Sequence, residues 1–160
     1  MIGHPFALAA LLLGAAPACG QSVSQTEAER AIADIQASHI RENVPDAPAF
    51  AGLLERDLNA HFASLGVSNV TTRVELLRQG ATQSGLSYPK FYLWVQVFSG
   101  RELVNAGAVR AAAVQKVRFE ISDFLSAQEI NEDPESVGSI FPAALVGSIR
   151  ERARTVSSGN

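Results

Sequence analysis

Residues 90–98 read KFYLWVQVF, and the order of their side chains decides the fold. The stretch is dense in aromatic and β-branched residues and holds neither glycine nor proline, a composition that favours extended backbone. Successive side chains of a strand point to opposite faces. Phe91, Leu93, Val95 and Val97 therefore share one face, and Tyr92, Trp94 and Phe98 share the other, with Lys90 and Gln96 between them. The first face demands an apolar cover. The second is apolar as well, and whether it is core or binding surface depends on what reaches it.

Working outward towards the N-terminus, residues 70–78 (VTTRVELLR) set Val70, Thr72, Val74 and Leu76 against Thr71, Arg73, Glu75 and Leu77, again the period of a strand. Gly80 and Gly85 bracket a turn or loop between the two. Towards the C-terminus, Ser99-Gly100 and Asn105-Ala-Gly107 enclose residues 101–104, a turn or brief strand. In residues 108–121 one parity holds Val109, Ala111, Ala113, Val117, Phe119 and Ile121, and the other holds Arg110, Lys116, Arg118 and Glu120. The alternation predicts one strand of unusual length, with a bend or bulge near Gln115.

Helical spacing appears on both sides of these strands. Overlapping capping boxes, Ser24-Gln-Thr-Glu27 and Thr26-Glu-Ala-Glu29, open a helix over residues 26–41 with Ala28, Ala31, Ile32 and Ile35 on one side. The prolines of Asn43-Val-Pro-Asp-Ala-Pro48 end it. Pro48 suits the first turn of a second helix carrying the stripe Phe50, Leu54, Leu58, Phe62 and Leu65, and Gly66 supplies a left-handed stop. Ser126-Ala-Gln-Glu129 and Asp133-Pro-Glu135 start short helical turns, and Phe141-Pro142 opens a last helix running to about Arg154, with Leu145 and Ile149 inward.

The chain of 160 residues is 47% hydrophobic and 18% charged, with a net charge of −3. That length and apolar content suit one packed core and exclude a disordered chain; the slight acidity argues against nucleic acid as a partner. The expected fold is α+β: N-terminal helices and a C-terminal helix packed on one face of a curled antiparallel sheet of three to four strands. In element order alone this resembles cystatin-like and nuclear-transport-factor-like folds; no motif carries the resemblance.

The first residues point to export. Residues 6–16 (FALAALLLGAA) match the apolar core of a signal peptide and are too short to span a bilayer. Ala16-Pro17-Ala18 supplies small residues before Cys19, an arrangement that resembles a bacterial lipobox, in which the cysteine is acylated. The resulting division is a signal peptide over residues 1–18, a tether over 19–25, a single domain over 26–156 and a polar tail over 157–160. The expected location is the bacterial periplasm, with the chain held to a membrane by a lipid if Cys19 is acylated; the alternative is an ordinary secretory leader with a cysteine near the cut. As the only cysteine, Cys19 leaves no internal disulfide and no multi-cysteine metal site.

Motifs for chemistry are sparse. Gly80 and Gly85 have phosphate-loop spacing, but Leu86-Ser87 follows where lysine is needed to meet phosphate. His39 and His61 form no metal pair, and no G-x-S-x-G elbow exists. Asp57 and His61 stand four apart on a helix, either a carboxylate-oriented base or a surface pair. The acidic run at 128–135 lacks the ligand order and turn glycine of a calcium loop. No cofactor and no metal are expected. The leading expectation is a non-catalytic envelope lipoprotein. It binds another protein or a cell-wall ligand through an aromatic and basic surface of Tyr88, Tyr92, Trp94, Arg110 and Arg118. The alternative is a small-molecule-binding protein or acid–base enzyme with an apolar pocket inside the curled sheet, Asp57, Glu75 or His61 serving as base and Tyr92 as donor.

Overall fold

A computed structural model describes residues 25–85 and 87–158. The expected signal peptide and Cys19 lie outside the described residues. Two helices come first, α1 (Gln25–Asn43) and α2 (Ala47–Ser64). Four strands follow, β1 (Val70–Leu76), β2 (Lys90–Ser99), β3 (Glu102–Val114) and β4 (Arg118–Ser126), and then α3 (Ala127–Glu132), α4 (Ser136–Ile140) and α5 (Ala143–Ser158). The strands form one open antiparallel meander in the order β1-β2-β3-β4, so the α+β expectation holds.

Beneath α2, the odd residues of β2 (Phe91, Leu93, Val95, Val97) join Val109, Ala111, Ala113 and Phe119, with Leu54, Leu58 and Phe62 closing the layer from above. The stop of α2 is a Schellman motif: Val67 N–H donates to Phe62 C=O at 3.2 Å and Gly66 N–H to Ala63 C=O at 3.0 Å, with Gly66 at φ +93°. On the opposite face Tyr92, Trp94, Ala106 and Ala108 lie under Ile130, Val137, Phe141, Leu145, Ile149 and Ala153 of the C-terminal helices. The helices thus divide between the two faces rather than sharing one. The reason is β2 itself, which is apolar on both sides, and small residues on β3 that let helices approach. Ser126 turns the chain onto that second face through a capping box: its Oγ accepts from Glu129 N–H at 3.1 Å, and Glu129 Oε2 accepts from Ser126 N–H at 2.8 Å.

Residues 108–121 are not one bent strand. Gln115 and Lys116 both adopt the left-handed conformation, φ +50° and +62°, and Val117 N–H returns to Val114 C=O at 3.1 Å. That is a two-residue hairpin turn with the geometry usually taken by Asn-Gly. What supports it is remote: Asn43, at the end of α1, accepts from Gln115 N–H at 3.1 Å on its side-chain oxygen, and its carbonyl accepts from Lys116 N–H at 2.8 Å. Residues 102–104 belong to β3, and Gly100 (φ +63°) and Arg101 make the turn before it. Gly107 is required where it stands, because a Cβ there would strike Leu125 C=O and the Phe124 ring.

α1 is held at its C-terminal end by the Asn43 clamp. Its apolar stripe stays open, with Ile32 55% and Ile35 61% exposed. The expectation that both helices cover the sheet is met by α2 alone.

Candidate functional site

The sheet face that carries Tyr92 and Trp94 is core rather than an open binding surface. Tyr92 is 7% and Trp94 5% exposed, because α4 and α5 lie across them. The Tyr92 hydroxyl meets Thr82 Oγ1 at 3.3 Å, and its ring stands edge-on to Phe141 with centroids 6.0 Å apart. The basic residues expected beside the aromatics are matched by acids. Arg110 pairs with Asp123 across the β3–β4 ladder at 2.5 Å and also donates to Ile140 C=O at 3.3 Å. Arg118 pairs with Glu120 at 2.5 Å near the exposed end of β4. Tyr88 is exposed in the loop before β2, its ring parallel to His39 of α1 at 6.3 Å. The register does set Tyr92 opposite Arg110. Tyr92 and Trp94 nevertheless lie under α4 and α5 and Tyr88 stands against α1, so the five residues do not form one open surface, and the aromatic and basic face is corrected on that ground.

Of the residues of the enzymatic alternative, Glu75 shares the sheet face of Tyr92 but is held by Arg152, and Asp57 and His61 lie apart from both. Asp57 turns towards β4: its Oδ2 accepts from Phe119 N–H at 2.6 Å, and Arg56 holds both of its oxygens at 2.8 and 3.1 Å. His61, on the same helix, stands edge-on to Phe62 at 5.2 Å, and burial lowers its pKa from the ordinary imidazole value. Both belong to the α2 side of the sheet, whereas Tyr92 faces α4 and α5. The sheet is open, and each of its faces is filled by side chains from its helices.

What remains accessible on the second face is a cleft between β1 and α5. The register places Glu75 beside Trp94 and Arg73 beside Gln96. α5 contributes Ser148, Glu151, Arg152, Thr155 and Val156, a polar stripe at helical spacing. Two adjoining hollows of about 470 and 430 Å³ share Trp94 and Arg152 as common walls. Across the cleft Arg152 grips Glu75 through both guanidinium nitrogens, at 2.7 and 2.5 Å. That hydrogen-bonded pair lowers the Glu75 carboxyl below its usual range and raises Arg152. Arg73 lies over the Phe98 ring at 5.0 Å and contributes positive charge at the mouth.

The geometry is that of a small binding site: an indole edge in the floor, an anchored ion pair, and hydroxyl, amide and guanidinium groups around the rim. Glu75 and Trp94 were legible candidates, though for other roles. Arg73, Gln96, Ser148 and Arg152 were not, because the cleft exists only once α5 crosses the second face. The spacing of Ser148, Arg152 and Thr155 was the available signal. Among the described residues no group of three or more His, Cys, Asp or Glu side chains is placed to hold a metal ion, and no helix is long and apolar enough to cross a membrane. No protein-family model, curated protein or solved structure matches the chain.

Proposed function

We propose that the protein is a non-catalytic binding protein of the bacterial cell envelope, exported by its leader and anchored through Cys19, whose ligand enters the cleft between β1 and α5. The observation that supports this reading is the convergence of Arg73, Glu75, Gln96, Ser148 and Arg152 around the edge of Trp94. The expectation left a choice between another protein and a cell-wall ligand. The guanidinium, amide and hydroxyl groups around the cleft complement the hydroxyl, amide and carboxylate groups of a cell-wall fragment, which favours that ligand.

Trp94 is the only tryptophan, so its emission reports directly on the floor of the cleft. Soluble cell-wall fragments titrated into the purified protein are expected to change that emission saturably. Gln96→Ala is expected to weaken the response, and Ser148→Tyr, which fills the cleft from α5, to abolish it while the melting temperature is kept. A response identical in Ser148→Tyr and the parent, or none at any fragment concentration, contradicts the proposal.

A further inference from the structure

Among the described residues the outer edge of β1 has no strand neighbour, and its two sides carry complementary properties. Leu77 N–H donates to Tyr92 C=O at 2.9 Å and Gly100 N–H to Asn69 C=O at 3.0 Å. Antiparallel ladders alternate between hydrogen-bonded and non-hydrogen-bonded pairs. The odd residues 71, 73 and 75 therefore bond to β2, and Val70, Thr72, Val74 and Leu76 present their N–H and C=O groups outward. The segment VTTRVEL contains neither proline nor lysine, its only charges are Arg73 and Glu75, and its register with β2 shows no bulge. Val74 and Leu76 are 37% and 36% exposed, next to a hollow of about 270 Å³ formed with Phe50 and Leu54 on the α2 side. On the α5 side the same strand shows Arg73 and Glu75.

We propose that β1 pairs with β1 of a second copy of the chain, in antiparallel register about a two-fold axis through Val74. Charge complementarity argues for both the occupant and the register, with the Glu75 carboxylate shared between Arg152 of its own chain and Arg73 of the other. With Val74 opposite Val74 of the second copy, each Arg73 stands opposite the other chain's Glu75, at non-hydrogen-bonded positions where side chains approach most closely. Moving the axis to residue 73 sets arginine against arginine, and moving it to residue 75 sets glutamate against glutamate, both unfavourable. In the chosen register Val74 meets its own copy on the α2 side, and Thr72 meets Leu76 of the other chain. The two Phe50–Leu54 hollows then adjoin one continuous apolar strip. The contact is isologous, so it closes at two chains instead of growing into a fibre. The inference goes beyond the proposed ligand site, with which it shares Arg73 and Glu75; Gln96 and Ser148, which test that site, lie off the edge.

The test is sedimentation equilibrium of the purified protein from about 1 µM to about 1 mM, with circular dichroism melts on every variant. The parent is expected to reach twice the chain mass. Arg73→Glu and Glu75→Arg, each alone, are expected to weaken association about tenfold or more, because each sets like charges opposite one another twice. An equimolar mixture of these two variants is expected to regain it, since both cross-strand pairs become opposite in sign again. If either variant fails to fold, Val74→Pro on the free edge replaces it and is expected to abolish pairing, its missing N–H being one of the two at the axis. A parent that stays monomeric throughout, or that pairs only with a strand of a different protein, overturns the proposal. So does a dimer that all three variants leave intact, or a mixture that fails to recover.

Discussion

The two faces of β2 carry equal apolar weight in the sequence and are treated differently by the fold. The Leu93 face is covered by the single helix α2, whose stripe was plain at helical spacing. The Trp94 face is covered by the short α3 and α4 together with α5, which at 16 residues is nearly as long as α2, and their cover is incomplete at β1. Both covers leave a margin at β1: on the α2 side Val74 and Leu76 stay exposed beside Phe50 and Leu54, and on the α5 side the margin is the cleft proposed as the binding site. A large aromatic residue in a strand is thus no evidence of an exposed surface, and the margin of its cover is the place to look for one.

The largest effects expected are in the two cores. Trp94→Ala and Phe91→Ala should each cost about 3–5 kcal/mol of stability, measured by chemical denaturation. The comparison of faces breaks if Trp94→Ala is close to neutral, because that face would then not be core. Leu58→Ala and Ile149→Ala, on opposite sides of the sheet, should each cost about 2–5 kcal/mol, and the double variant should be additive within about 0.5 kcal/mol. Strong non-additivity would mean that the two layers relax together.

A smaller loss, about 1–3 kcal/mol, is expected for Asn43→Ala, which leaves the Gln115 amide without its acceptor. Amide exchange should speed up at the β3–β4 turn and stay unchanged at the β1–β2 turn; equal acceleration at both would remove the clamp. Smaller still is the pH effect. Burial lowers His61 in the folded state, so the unfolded chain binds the proton more readily. The contribution is complete above the unfolded value near 6.5 and declines as pH falls through it towards the lower folded value. His61→Gln should flatten that part of the stability–pH curve, and an unaltered slope would assign it to other groups. Last, Ile32→Ser and Ile35→Ser should each change stability by less than about 0.5 kcal/mol, since the open side of α1 has nothing to lose.

These magnitudes follow how far each feature could be read from sequence. The alternation of residues 90–98 specified β2 and both of its faces, because a strand's period is local. The capping box at Ser126 and the stop at Gly66 were legible for the same reason. The Gln115–Lys116 turn was not. Neither residue favours a left-handed conformation, and the group that stabilises the turn, Asn43, lies 72 positions away. The binding cleft was hidden by the same kind of distance: Arg152 and Glu75 are 77 residues apart, and nothing near either one announces the other. The mistaken aromatic surface had the same origin, for Tyr92 and Trp94 alternate correctly but are covered by helices from the far end of the chain.

The most direct test of the account is the emission of Trp94 in the purified protein without ligand, together with its quenching by iodide. The account predicts emission well to the blue of free tryptophan and weak quenching, because only the edge of the indole reaches the cleft. Emission like that of free tryptophan, readily quenched by iodide, would contradict it and restore an open aromatic face as the binding surface.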